Sequence, residues 1–200
     1  QYSCVDGVPG DYHLVHLGAR AMGGAGLVMA EMTCITPEGR ITPGCPGIYS
    51  DEQIAAWKRI ANWIHTHSDA KFAMQIGHAG GKASTRLAWD GTDLPLEPAS
   101  ANWPIVSASA QQYLPGISQV ARELSQAEME VMKQQFVQAA RDVDAIGADW
   151  LELHCAHGYL LSAYISPLTN HRTDEYGGGE ANLLRFPIEV FKAMRAVWPE

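Results

Sequence analysis

The chain has 200 residues, 46% of them hydrophobic and 18% charged, with a formal net charge of −8 at neutral pH. This balance excludes a disordered or low-complexity polypeptide, and the acidic surplus disfavours nucleic acid or an anionic membrane as partner, since both need a positive footprint. The expected partner is a small-molecule substrate, with homo-oligomeric assembly left open. The opening stretch QYSCVDG reads as if cut from something longer. Asp11 is placed to cap a helix over DYHLVHLGARAMGGAG, whose glycine-rich end leads into LVMAEM, a short buried strand ending near Met32. After the loop TCITPEGRITPGCPGIYS, Ser50 and Gln53 have the spacing of a capping box, and Ile54, Trp57, Ile60 and Ile64 line one helical face. The strand KFAMQI follows.

A long segment from Gly77 to about Leu124, rich in Gly, Pro and Trp, is too long for a plain connection and is expected to carry substrate or partner contacts. Ser125 and Glu128 then form a second capping box, opening a helix with Met129, Met132, Phe136, Ala140 and Val143 inward and Gly147 at its end. The strand DWLELH comes next. A loop ends at Gly177, Gly178 and Gly179, and a last helix with Leu184, Ile188, Val190 and Met194 on its inner face runs to Trp198. Strand and helix alternate with long strand-to-helix loops, which implies parallel strands and an α/β layout forming one domain over residues 1–200. No G-x-G-x-x-G follows a strand, so the reading is a (β/α)8 TIM barrel rather than a doubly wound sheet. A whole barrel needs ~250 residues, so about the N-terminal half is expected here.

Chemistry-capable residues follow each strand: Glu31 and Thr33 after the first, Gln75, His78 and Lys82 after the second, and His154, His157 and Tyr159 after the third. In a barrel these positions converge on one mouth. His154 and His157 can both donate to one ligand oxygen if the backbone turns after His154, polarising a carbonyl and stabilising an enolate. A phenol, with its ordinary pKa of about 10, stays protonated at neutral pH, so Tyr159 can deliver a proton to a carbanion. The Gln75 amide can donate to and accept from a heterocycle edge, and Lys82 can neutralise a developing negative charge. Two alternatives stand beside this reading. His78, His154 and His157 could ligate zinc or iron in a metal-dependent hydrolase, or the chain could be a non-catalytic truncated half-barrel that pairs its open sheet edges. Cys155 is set aside as a nucleophile, because a thiolate needs an electropositive site and cysteines at strand exits are more often buried. The four cysteines include no C-x-x-C pair, so free thiols in a reducing cytoplasm are expected, and neither a spanning segment nor a signal pattern is present.

The pieces QYS, EMTCITPEGRITPG, QIGHAGGKAS and LELHCAHGYLLSAYISPLTNHRTDEYGG occur in the order found in the Old Yellow Enzyme family, and the sequence resembles the xenobiotic-reductase-like branch of those FMN-dependent ene-reductases. It is also similar to the oxidoreductase half of salicylyl-CoA hydroxylase-type fusion proteins, which adds an acyl-CoA to the substrate classes. The resemblance implies FMN in the barrel mouth, NAD(P)H as reductant and an activated alkene as substrate. It implies that Gln75 bonds the flavin pyrimidine edge and that Met32 stands where a backbone touches the isoalloxazine. Tyr2 matches a substrate-facing tyrosine, His154 and His157 hold the substrate oxygen, and Tyr159 supplies the α-proton. Two departures predict weakened anchoring: Gly81 replaces an arginine in His78–Lys82, and Gly177–Leu183 lacks a carboxylate and an arginine of the family pattern. The phosphate clamp of the cofactor would belong to later strands.

Overall fold

The computed structural model describes residues 2–199; Gln1 of the QYS motif lies outside them. The first helix, α1 (Asp11–Met22), starts one residue earlier than its expected cap would allow. Gly10 is the N-cap, and Asp11 sits in the first turn, where its charge favours the positive end of the helix dipole. Strand β1 (Leu27–Cys34) runs two residues beyond Met32. Helix α2 (Asp51–His67) is capped by Ser50 Oγ, which accepts from the Gln53 amide at 3.3 Å. Gln53 does not close the expected box on Ser50. Its side chain accepts instead from the Tyr49 amide at 2.9 Å and donates to the Asp6 carbonyl, tying the N-terminal segment to the helix.

Strand β2 (Lys71–Gly77) pairs in parallel with β1. The long segment after it folds as a small excursion of its own, containing a helical turn α3 (Ala88–Gly91) and the strands β3 (Val106–Ser107), β4 (Gln111–Gln112) and β5 (Val120–Glu123) in the order β3-β5-β4. The Asn102 side chain acts as its internal staple, accepting from the Leu96 amide and donating to the Leu96 carbonyl, both at 2.9 Å. Helix α4 (Gln126–Ala145) begins in the complete Ser125–Glu128 capping box, and Met129, Met132, Phe136, Ala140 and Val143 are all buried. Strand β6 (Trp150–Leu153) pairs in parallel with β2, followed by α5 (Leu160–Ile165) and α6 (Glu180–Arg195).

The main sheet therefore has the order β1-β2-β6, all parallel and in chain order, as adjacent staves of a barrel must be. The arrangement is about half of a (β/α)8 barrel. Alternate residues of β1 and β2, among them Val28, Ala30, Phe72, Met74 and Ile76, point outward into a core with Trp57, Ile60, Ile64, Phe136 and Val143 from the helices. Fully burying such side chains stabilises by about 1.5–3 kcal/mol each, before the cost of ordering the chain is counted.

The last helix buries Val190 and Met194 as expected but not the other two residues of the expected face. Leu183, Phe186, Pro187, Val190 and Met194 are buried, whereas Leu184 is half-buried and Ile188 is 44% exposed. Two apolar stripes run along this helix. The one that includes Phe191 borders a groove with Leu151, Leu153, Met194 and Trp198 at the outer edge of β6. The expected weak anchoring of α6 is also corrected. Arg185 donates to the Glu175 carbonyl at 2.8 Å and Asn182 to the Gly177 carbonyl at 2.9 Å, so its first turns are pinned from inside the helix.

Candidate active site

Opposite Gln75, strand β1 carries one residue too many. Ala30 pairs with Met74 and Thr33 with Ile76, so Glu31 and Met32 together face the single residue between them. Such a bulge breaks the alternation of the strand and re-aims its side chains. Glu31 and Met32 consequently both line the mouth, while Thr33 is fully buried and donates back to the Glu31 carbonyl at 3.0 Å. Thr33 is thus not a mouth residue, contrary to expectation.

A cavity of about 440 Å³ opens at the C-terminal ends of the three strands. The six residues to which the family resemblance gives a role line it, Tyr2, Met32, Gln75, His154, His157 and Tyr159, whereas Thr33, His78 and Lys82 do not. Ile41, Cys45, Pro46 and Trp89 complete the wall and went unrecognised in the sequence. Trp89 belongs to the excursion, and its ring stands 6.4 Å from that of Tyr2. Its signal was an aromatic side chain in a long polar insertion; Cys45 and Pro46 gave none, because only the folding of the loop after β1 brings them beside the strand.

The segment after β6 makes the turn that the histidine pair requires. His157 has φ of +60° and Gly158 +73°, so the chain reverses through two left-handed residues. For a residue with a Cβ this is uncommon and costs of order 1 kcal/mol, so something must hold it. Two contacts do. Lys82 Nζ donates to the His157 carbonyl at 3.3 Å, and the His157 ring is bonded to that of His154 through Nδ1 and Nε2 at 3.1 Å. The direction of that bond follows from its neighbour. The Ala156 amide donates to His154 Nδ1 at 3.2 Å, so the proton of a neutral His154 is on Nε2 and is donated to His157 Nδ1. A neutral His157 then carries its proton on Nε2, and the residue lines the cavity. The two rings do not both present free donors to one oxygen, as expected from the sequence: one orients the other. Burial, followed by the nearby His157, lowers the pKa of His154 and keeps it neutral.

Tyr159 is the N-cap residue of α5, whose start is fixed from β2: the Leu160 amide donates to the His78 carbonyl at 3.0 Å. Gly80, at φ +61°, lets the two segments approach this closely, since a Cβ there would lie 2.8 Å from Leu160 Cα. The Tyr159 ring lies 5.0 Å from His154 and 6.1 Å from His157. Burial, with smaller contributions from negative charge on Tyr2 and Cys45, pushes its phenol well above the ordinary value, so it is protonated throughout the neutral range. Lys82 lies 4.4 Å from the ring centre of Tyr113 and 5.4 Å from that of Tyr159.

His78 does not join the other histidines. It is buried outside the cavity wall, its Nδ1 accepts from the Gly80 amide at 3.0 Å, and burial lowers its pKa to about 4. Among the described residues no group of three or more His, Cys, Asp or Glu side chains converges on a point, so the three-histidine zinc or iron site is corrected. The Gln75 amide is also less free than expected, because its Nε2 donates to Glu152, its register partner on β6. Its oxygen remains the acceptor at the cavity. Cys155 is half-buried, and burial pushes its thiol up to about 11, which agrees with setting it aside as a nucleophile. No helix among the described residues is long and apolar enough to cross a membrane.

The sequence pattern of the NADH:flavin oxidoreductase / NADH oxidase family matches residues 2–198. An NADH:flavin oxidoreductase of Gibberella zeae is 39% identical over the whole of this chain and 49% of its own length. An NADPH dehydrogenase of Bacillus cytotoxicus is 39% identical over 96% of this chain and 51% of its own length. Among solved structures, morphinone reductase in complex with tetrahydroNAD superposes with a TM-score of 0.85 at 29% identity, covering 99% of this chain and 55% of that one. The Old Yellow Enzyme homologue of Zymomonas mobilis gives 0.82 at 30% identity, over 98% and 53%. The chain spans about half the length of the curated relatives it matches.

Proposed function

The chain belongs to the NADH:flavin oxidoreductase / NADH oxidase family, and on that footing we propose that the protein is an FMN-dependent oxidoreductase that uses NAD(P)H to reduce the C=C bond of activated alkenes such as α,β-unsaturated carbonyl compounds. The observation that carries this reading is the convergence of a protonated, buried phenol and an oriented histidine pair on one cavity at the strand ends.

The residues present suit the ring system of a flavin. The cavity volume lies within the ~300–1,000 Å³ usual for cofactor and ligand sites, and it combines apolar and aromatic walls with a few polar edges. Met32, on the bulge, lines the cavity, and Gln75 offers an acceptor for a ring N–H. No lysine or arginine is among the residues lining this cavity, so these residues would hold the ring and not its phosphate. When bound, FMN supplies the hydride. The chain's own residues do the rest. Tyr2 and Trp89 flank the substrate. His157 donates from Nε2 to the substrate oxygen, with His154 fixing its tautomer, and so stabilises the negative charge that develops there. Tyr159 delivers its proton to the α-carbon, and the Lys82 ammonium beside the ring steadies the phenolate left behind.

Tyr159→Phe in the intact protein tests this. Stopped-flow measurement of the two half-reactions should show flavin reduction by NADPH unchanged and reoxidation by a small cyclic enone slowed by about 10²–10⁴, the usual worth of a positioned acid. Equal loss in both half-reactions would refute the role of Tyr159.

A further inference from the structure

Behind the cavity wall, three sulfur atoms come together. Cys34 Sγ donates to Met32 Sδ at 3.8 Å, and the same thiol lies within hydrogen-bonding reach of the Cys45 sulfur. Cys34 and Cys45 are buried and free, and their backbones are locked side by side: the Cys34 amide donates to the Pro46 carbonyl at 2.9 Å, and Cys34 forms a parallel bridge with Gly47. Met32 and Cys45 reach the cavity, which gives a small solute a way in; Cys34 is the inner member.

The trio has the composition of a site for a soft metal ion. Three sulfurs bound at ~2.3 Å around a trigonal centre stand about 4 Å apart, close to the separation of Met32 and Cys34. Thiolate and thioether ligands select Cu(I) over hard cations and over zinc, which prefers four ligands. One of the sulfurs also accepts a hydrogen bond from the backbone. Cys45 Sγ accepts from the Thr42 amide at 3.3 Å and lies 3.6 Å from the Thr42 hydroxyl.

We propose that Met32, Cys34 and Cys45 form a binding site for one soft monovalent d¹⁰ ion, Cu(I) or Ag(I). Cys45 enters as thiolate, and Cys34 gives up to solvent the proton it now points at Met32. No electrons move: the ion takes the place of one thiol proton and bonds to two thiolates and one thioether. Met32 and Cys45 also line the cavity proposed for the flavin, but the metal titration reads sulfur ligation and not hydride or proton transfer, so the two readings fail separately.

The experiment is an anaerobic titration of the intact protein with Cu(I) against a chromogenic chelator, followed by native mass spectrometry and X-ray absorption at the copper edge. One equivalent should be withheld from the chelator, in a shell of three sulfurs at ~2.3 Å. Cys45→Ser should lower the affinity at least 100-fold, and Met32→Leu about tenfold. Replacing Cys4 and Cys155 together with Ser should change nothing. Retention of copper by a Cys34→Ser/Cys45→Ser protein would overturn the proposal. So would a shell dominated by histidine nitrogen in the unmodified protein, a measurement that does not depend on how any variant folds.

Discussion

Replacing Arg172 with Met would remove the cation around which the loop after α5 is organised. Its side chain is only 4% exposed. The guanidinium grips Asp174 through two bonds, Nε to Oδ1 at 3.0 Å and Nη2 to Oδ2 at 2.6 Å. Nη1 donates to the Leu124 carbonyl at 2.7 Å and the Ala108 carbonyl at 3.3 Å, with Glu123 also at 3.3 Å. One side chain thereby joins the excursion to the loop that follows the candidate catalytic segment. Breaking a buried pair from one side costs about 3–5 kcal/mol, and because the Asp174 side chain is 29% exposed and can regain water, the lower end, ~3 kcal/mol, is expected. Urea titration of the intact proteins should show a lower midpoint with an unchanged slope. Acid supplies a second check. Arg172 is the main cause holding the Asp174 carboxyl down at about 2, so the contribution is complete above the ordinary carboxyl pKa near 4 and is lost as pH falls through about 2. The gap between wild type and variant should be constant from pH 8 to 5 and should narrow below pH 4. A difference under 1 kcal/mol, or a gap that widens on acidification, would refute the reasoning.

Two further predictions test how the site is positioned. Gly80→Ala should destabilise by about 2 kcal/mol and slow enone-dependent reoxidation, because its Cβ would strike the Leu160 backbone and its φ is left-handed; calorimetry alongside the half-reaction assay would read both effects, and an unaltered melting temperature would rule the close approach out as a constraint. Trp89→Ala should raise KM for an enone several-fold while leaving flavin reduction by NADPH unchanged, since Trp89 meets the cavity beside Tyr2, where the proposed function puts the substrate. A fall in kcat at constant KM would count against that placement.

Local chemistry made much of this molecule legible before any coordinates. The Ser125–Glu128 capping box and the inward face of α4 follow from hydrogen-bonding groups and apolar periodicity within a single helix, and both stand in the structure. The α/β rhythm, the excursion and the His154-His157-Tyr159 cluster were legible for the same reason, each being carried by residues close together in the chain. Where the sequence misled, the deciding contact was distant. In α6 the sequence placed Val190 and Met194 inward correctly, but two apolar stripes compete and only packing against α4 and α5 selects Leu183 and Phe186 over Leu184 and Ile188. Asp11 has a capping residue's chemistry, yet the chain enters the helix at Gly10.

What the sequence by itself determined is therefore the set of elements and the identity of the groups at their ends, since both depend on interactions spanning a few residues. Tertiary structure alone decided how those groups are aimed. A bulge opposite Gln75 sends Glu31 and Met32 into the mouth and hides Thr33, and a left-handed turn bonds His157 to His154. His78 is drawn away by the Gly80 amide, while Cys45, eleven positions beyond Cys34, is folded back against it. Register, turn handedness and loop closure each depend on partners far apart in the chain, and no local pattern encodes where those partners will stand.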